Sequence, residues 1–264
     1  MLKQTANPKK VLLFSGGLDS FLMAHLLKVD VLLNISYDGV YSNEEQARIE
    51  LMREKGMLPE GVQLRFADMR FLRHHERLED LVIPMRNLYF VTEAAHYGDT
   101  IYLGAMKGDT NLLDKSPAFL EMTSRLLTYL HAPQRWCEGR IIKVEAPFIE
   151  TSKEELIRMF LQADLPYSLK QKEEMLRTSF SCHSPVRDWA KTGPEPALMP
   201  CGGCKPCLRK CIALELNGVS TQGMFAKDPL TSDLAQMILD GDYRTISISP
   251  AQIRAATLAR GARA

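Results

Sequence analysis

Apolar positions along the chain follow two periods. Short continuous runs from Val11 to Phe14, Val31 to Ser36, Gln63 to Ala67, Thr100 to Gly104 and Ile141 to Ala146 read as buried strands. Between and after them, spacings near 3.6 predict helices over Leu18 to Lys28, Asn43 to Lys55, Pro84 to Tyr97, Pro117 to Leu130 and Ser152 to Ala163. The last opens with Ser152-Lys153-Glu154-Glu155, the pattern of a capping box. Strand and helix in alternation predict an α/β fold, an open parallel sheet with helices on both faces. From Lys170 the alternation stops, and prolines at 185, 194, 196, 200 and 206 suggest a loop-rich stretch. This divides the chain into an α/β domain over residues 1–169, a small region over 170–215 and a C-terminal extension over 216–264. The extension holds an amphipathic stretch, Ser232 to Leu239, and an Ala/Arg-rich end that reads as helical. It is expected to meet a partner, as a homodimer or in a complex; a loosely docked tail is the alternative.

Composition narrows the class. A chain of 264 residues, 45% hydrophobic, can bury a sizeable core. It has no run of about 18 apolar residues and no signal-like start, so a soluble cytoplasmic protein without a membrane partner is expected. Lys+Arg 33 against Asp+Glu 32 provides no global basic field, which weighs against a nucleic-acid partner. Four of the six cysteines crowd into Cys201, Cys204, Cys207 and Cys211, a clustering that points to metal rather than disulfides.

The densest chemistry lies at Phe14-Ser15-Gly16-Gly17-Leu18-Asp19-Ser20, between the first strand and the first helix. Two glycines let backbone N–H groups approach an anion, and the following helix aims its positive end at the same place. Ser15 and Ser20 add hydroxyls. Asp19 brings a carboxylate that suits a phosphate seat when Mg²⁺ bridges the two. The stretch resembles the pyrophosphate-binding loop of the PP-loop ATP pyrophosphatases, which cleave ATP to AMP and pyrophosphate while adenylating their substrate. An ordinary Gly-Gly turn is the plainer reading. It leaves Asp19 unexplained.

An open sheet binds ligands beyond the carboxyl ends of its strands, so this loop, Tyr37-Asp38-Gly39 and Met106-Lys107-Gly108-Asp109 should rim one crevice. Farther along, Pro84-x-Arg86-Asn87-x-x-Phe90 places an arginine near a helix start, where it can clamp an anion or remain a solvated surface residue. Taken with the glycine loop, this segment resembles the 7-cyano-7-deazaguanine synthase family. That resemblance assigns Asp109 and Asp114 to a pair of acidic substrate-reading positions, with Arg86, Asn87 and Lys107 beside them. Fixed carboxylates suit a guanine-like edge, which offers N–H donors. Two departures stand out: Ser116 replaces an arginine usual in the family, and the segment from Asp109 to Asp114 is shorter. Asp114 could instead cap the helix that begins at Pro117.

Cys182 with Cys201-Gly202-Gly203-Cys204-Lys205-Pro206-Cys207 supplies four thiolates for a closed structural Zn²⁺ site, and the family carries the same set at this point. Here eighteen residues separate Cys182 from Cys201, a longer insertion than the pattern leads one to expect. Lys205, Arg209 and Lys210 are placed to offset the charge of such a site, while Cys211 and Cys137 read as buried thiols. The resemblance implies an ATP-dependent ligase that adenylates the carboxylate of 7-carboxy-7-deazaguanine, with Asp19 holding Mg²⁺ and with the glycine loop, Mg²⁺ and Arg86 neutralising charge. The acceptor would be ammonia, or a protein amine as in paralogues associated with antiphage defence. A non-catalytic nucleotide-binding subunit is the reading from a different class.

Overall fold

Five parallel strands stand where the apolar runs predict them: β1 (Lys10–Leu13), β2 (Val31–Ser36), β3 (Gln63–Asp68), β4 (Thr100–Tyr102) and β5 (Lys143–Glu145). The computed structural model describes residues 8–37, 42–77, 83–107, 113–188, 197–243 and 247–263. Strand order is β3-β2-β1-β4-β5, with Val11 of β1 in register with Val31 on one side and Ile101 on the other. In a parallel sheet covered on both faces the inner strands lie buried throughout, which is why they read as continuous apolar runs rather than alternating ones. Val11, Leu13, Val31, Leu33, Ile101 and Val144 share one core cluster with Val91, Ala94 and Leu127. By the alternation of strand side chains, Leu12 and Leu32 are buried on the opposite face.

Around the sheet lie α1 (Leu18–Leu26), α2 (Ser42–Glu54), α3 (Arg86–Ala94) and α4 (Pro117–Leu130). Helix α4 has the bounds that the sequence predicts, because Ser116 accepts the Phe119 N–H as N-cap and Pro117 occupies the first turn. Helix α3 begins two residues later than predicted. Met85, at φ 59°, is its left-handed N-cap, so Pro84 lies outside the helix. On α1, His25 Nε2 lies 3.0 Å from the Met57 carbonyl, and burial pushes its pKa down to about 4. The unfolded imidazole, near 6.5, therefore takes a proton first. Stability is expected to be full above about pH 6.5 and to fall as pH drops toward 4. A His25→Gln variant should show a flatter dependence of its urea midpoint over that window.

The chain divides into two compact units, Met1–Thr151 and Ser152–Ala264. The second holds α5 (Lys153–Gln162), α6 (Leu169–Thr178), an antiparallel hairpin of β6 (Val186–Asp188) and β7 (Ala197–Met199), then α7 (Lys205–Leu216), α8 (Asp233–Asp240) and α9 (Pro250–Gly261). Helix α5 starts with the capping box that its sequence announces, between Ser152 and Glu155. Two helices occupy a region that the prolines suggest is loop-rich. Pro206 lies in the first turn of α7, where its missing N–H costs nothing, so it opens a helix instead of breaking one. In the extension, Ile238, Ile248, Ile253 and Ala256 form one apolar cluster with Leu208 and Ile212 of α7. The C-terminal segment is therefore part of this unit's core and not a loose tail.

Candidate functional site

The glycine loop leaves the carboxyl end of β1, beside the point where the sheet order passes from β1 to β4. That is where open α/β sheets leave a crevice between diverging connections. The loop is held from below. The Phe14 N–H donates to the Leu33 carbonyl at 2.8 Å, and the Asn34 amide donates to the Phe14 carbonyl at 2.9 Å. Gly16 takes φ +69°, and a Cβ there would sit 2.8 Å from Ile49 Cγ1 of α2, so backbone conformation and close packing both require glycine. Gly17 is the N-cap of α1 and supplies no side-chain acceptor. Its own N–H donates to Ser15 Oγ at 3.3 Å, while the Ser20 hydroxyl donates back to the Gly17 carbonyl at 3.2 Å. Ser15 is exposed at the edge, Asp19 is half-buried in the first turn of α1, and Leu18 and Ser20 are buried beneath. A helix N-terminus without a side-chain cap, preceded by such a turn, is suited to seating an anion.

Arg86 opens α3. Its guanidinium carbon lies 5.7 Å from the Tyr37 ring centroid and 5.9 Å from that of Phe90, so two aromatic faces fix the side chain. Burial pushes the Tyr37 phenol up, against the pull of the Arg86 charge and a hydrogen bond from it. Arg86 Nε is buried and, among the described residues, has no hydrogen-bond partner. A buried guanidinium N–H left open is a natural point of contact for an anionic or carbonyl ligand. Asn87, also buried, donates to the Asp114 carbonyl at 3.2 Å, which ties the first turn of α3 to the short 3₁₀ turn at Leu113–Lys115. The cap of α4 is Ser116, not Asp114, so the plainer role considered for Asp114 falls to its neighbour.

Lys107 is exposed after β4, its N–H bonded to the Thr151 carbonyl at 3.0 Å. Asp109, with Gly108, Asp38 and Gly39, lies outside the described residues. Sequence reasoning overlooked Asn34. The signal was present, a lone amide within the apolar strand Val-Leu-Leu-Asn-Ile-Ser.

In the second unit Cys182, Cys201, Cys204 and Cys207 bring their sulfurs within 4.8 Å of one another. Cys182 and Cys204 Sγ are 3.9 Å apart and Cys204 and Cys207 Sγ 3.4 Å. A tetrahedral site with Zn–S of about 2.3 Å has sulfur–sulfur edges of about 3.8 Å, so these four could hold a metal ion. Backbone N–H groups of Ser184 and Cys201 point at Cys182 Sγ, at 3.3 and 3.2 Å, as expected around a thiolate. Hydrogen bonds from Cys182 and Cys207 hold the Cys204 thiol low, while contact with Cys204 pushes Cys182 up to about 12. Cys204 is also the N-cap of α7, where the helix dipole favours a thiolate.

The remaining cysteines differ from each other. Cys211 is fully buried, away from the cluster, with Arg260 Nη2 donating to its sulfur at 3.3 Å, and burial pushes its pKa up to about 11. Cys137, expected to be buried, is exposed, because it closes a surface turn through backbone bonds with Gln134. Lys210, considered as a counter-charge for the cluster, is buried and donates to the Ser179 carbonyl and, at 2.9 Å, to its hydroxyl.

Fold and loop together define a class, the parallel α/β proteins in which a glycine turn stands at the carboxyl edge of the first strand. A family model described as "Queuosine biosynthesis protein QueC" matches residues 9–218, and the chain belongs to that family. Proteins named 7-cyano-7-deazaguanine synthase are similar to it, among them the following three. The one from Caldicellulosiruptor saccharolyticus is 22% identical over 262 residues, covering 90% of this chain and 100% of the relative. Its counterpart in Marinobacter nauticus is 25% identical over 235 residues, covering 80% and 94%. In Leptospira interrogans the figure is 25% over 239 residues, covering 82% and 90%. Among the described residues, no helix is long and apolar enough to cross a membrane.

Proposed function

We propose that this chain is an ATP-dependent C–N ligase that adenylates the carboxylate of 7-carboxy-7-deazaguanine, or a close analogue, for attack by an amine. The observation that carries the reading is the glycine loop at the β1 carboxyl edge, in a chain whose family relatives are named for making the 7-cyano product. A carboxylate oxygen of the substrate attacks the α-phosphorus of ATP, and pyrophosphate leaves. The amine then adds to the activated carbon, AMP departs with that oxygen, and a proton lost from nitrogen completes the amide. With ammonia as donor, a second ATP activates the amide oxygen. Loss of that oxygen to AMP and of two protons from nitrogen gives the nitrile.

No side-chain nucleophile is needed, so the protein's task is positioning and charge neutralisation. Phe14 to Ser20 would seat the phosphates, with Asp19 as the carboxylate able to hold Mg²⁺. When bound, Mg²⁺ would offset phosphate charge. Arg86 would meet the substrate carboxylate or the α-phosphate. Asn87, Lys107, Asp109 and Asp114 would line the deazaguanine side, and a four-thiolate Zn²⁺ would be structural. Ser116 favours a second reading in which the acceptor is a protein amine: it caps α4 and offers no substitute for the arginine usual at that position.

Asp19→Asn preserves shape and removes one charge. It is expected to lower substrate-dependent AMP formation on the order of 10²-fold with an unchanged melting temperature. AMP formation at the unmutated rate would contradict this role. A mass increase on a co-expressed protein, absent with ammonium alone, would select the second reading.

A further inference from the structure

Asn34 stands in the middle of the apolar strand β2 and is only 3% exposed. Its Nδ2 donates to the Phe14 carbonyl at 2.9 Å, whereas its Oδ1, among the described residues, has no hydrogen-bond partner. The orientation of the amide is fixed by its chemistry, since turning it over would set oxygen against oxygen at that distance. Oδ1 is therefore a committed acceptor. Buried acceptors are nearly always paired, and an open one is costly, so a donor from outside the chain is called for.

The register of the sheet says where that donor would come from. Leu13 pairs with Leu33, which sets Asn34 beside Phe14, the residue that begins the glycine loop. Val31, Leu33 and Ile35 pack into the cluster that includes Val91 and Ala94 of α3. Asn34, of the other parity, turns to the opposite face, the one on which Gly16 packs against Ile49 of α2. The acceptor thus lies beneath the phosphate seat, on the other face of the sheet from the helix that carries Arg86. An ionised triphosphate presents only acceptors, and so do the ring nitrogens of adenine. Donors on ATP are confined to the 6-amino group and the two ribose hydroxyls. An acceptor beside a phosphate seat is matched to the nucleoside.

We propose that Asn34 Oδ1 accepts a hydrogen bond from the nucleoside half of ATP, from its 6-amino group or a ribose hydroxyl, and so selects among nucleotides; this rests on the glycine loop being the seat of ATP. The test is isothermal titration calorimetry of the full chain with Mg²⁺ and ATP, 2′-deoxy-ATP, 3′-deoxy-ATP or the triphosphate of purine riboside, each analogue lacking one donor, on wild type, Asn34→Leu and Asn34→Ala. Wild type is expected to bind one of the three analogues at least about 10-fold more weakly than ATP, and in both variants that ratio should fall to near one. Loss of the bond to Phe14 loosens the loop for every nucleotide alike, so it cancels in the ratio. Asn34→Ala introduces less bulk and keeps the test valid if Asn34→Leu misfolds. Wild type that binds all four nucleotides alike, as it would if a buried water met Oδ1, would overturn the proposal. So would a ratio that persists in the variants, or no binding of ATP at all. Binding needs no turnover, so a chain that shows the expected ratios but forms no AMP with the carboxylate would refute the ligase reading and uphold this one.

Discussion

Gly202→Ala, which removes no thiol, is expected to cost the second unit the zinc proposed for it as completely as Cys204→Ser does. Gly202 holds φ +82°, and a Cβ at that position would lie 1.9 Å from the Lys227 carbonyl oxygen, a backbone atom that cannot step aside cheaply. The Lys227 N–H in turn donates to the Cys201 carbonyl at 3.2 Å. Opening this contact would displace Cys201 from the other three sulfurs. Structural zinc in small thiolate sites contributes about 10–16 kcal/mol of apparent binding free energy, and binding is coupled to folding of the residues that carry the ligands. Metal analysis should therefore find about one zinc per wild-type chain. Both variants should retain well under half of that and should precipitate at lower temperature. A stable, fully loaded Gly202→Ala protein would show that the loop can relax, and a loaded Cys204→Ser protein would remove Cys204 from the ligand set.

The second large effect is expected from deleting residues 250–264. Glu215 on α7 is buried, yet its carboxylate accepts from Arg260 Nε at 3.0 Å, from Arg263, and from the Thr221 N–H and hydroxyl. Arg260 also pairs with Asp228 at 2.7 Å and donates to Thr221 Oγ1 at 2.9 Å. Removing the arginines strands a carboxylate in a low-dielectric site, a loss of about 3–5 kcal/mol for a buried pair broken from one side. The same deletion uncovers Leu208, Ile212 and Ile238. The shortened chain should lose the second unit as a folded, zinc-loaded body, read as a lower melting temperature and reduced zinc content together. A truncated protein that melts like wild type would mean that α9 is only an attachment. Testing whether the extension meets a partner therefore requires surface substitutions on α8 and α9, because truncation confounds partner loss with unfolding.

What the sequence made legible depended on how local the determining interaction was. The sheet and α4 were readable because a continuous apolar run, or a Ser-Pro start, carries its own cause within a few residues. Cys201, Cys204 and Cys207 were readable for the same reason, by spacing, whereas the thiol that joined them on the strength of the family resemblance was Cys182, 19 residues before Cys201, and not Cys211, which crowds beside them in sequence. Met85 was not: nothing in Pro-Met-Arg-Asn announces a left-handed methionine, and that single dihedral moves the start of α3 to Arg86. The Tyr37–Arg86–Phe90 arrangement depends on how β2 and α3 meet, which no window of sequence contains. Glu215 and Arg260 are 45 residues apart, so a buried carboxylate looked like one more polar position on a helix. Gly202 and Gly203 just before α7, and Pro206 in its first turn, suited a thiolate turn and concealed a twelve-residue helix.

In the proposed function this chain activates a deazaguanine carboxylate for attack by nitrogen. Mass spectrometry of the small-molecule products, after incubating the purified chain with ATP, Mg²⁺, 7-carboxy-7-deazaguanine and ¹⁵N-ammonium, tests it most directly. AMP and pyrophosphate are expected only when the carboxylate is present, with ¹⁵N appearing in an amide, a nitrile or both. ATP cleavage that ignores the carboxylate, or a carboxylate recovered unlabelled and unaltered with no AMP formed, would contradict it.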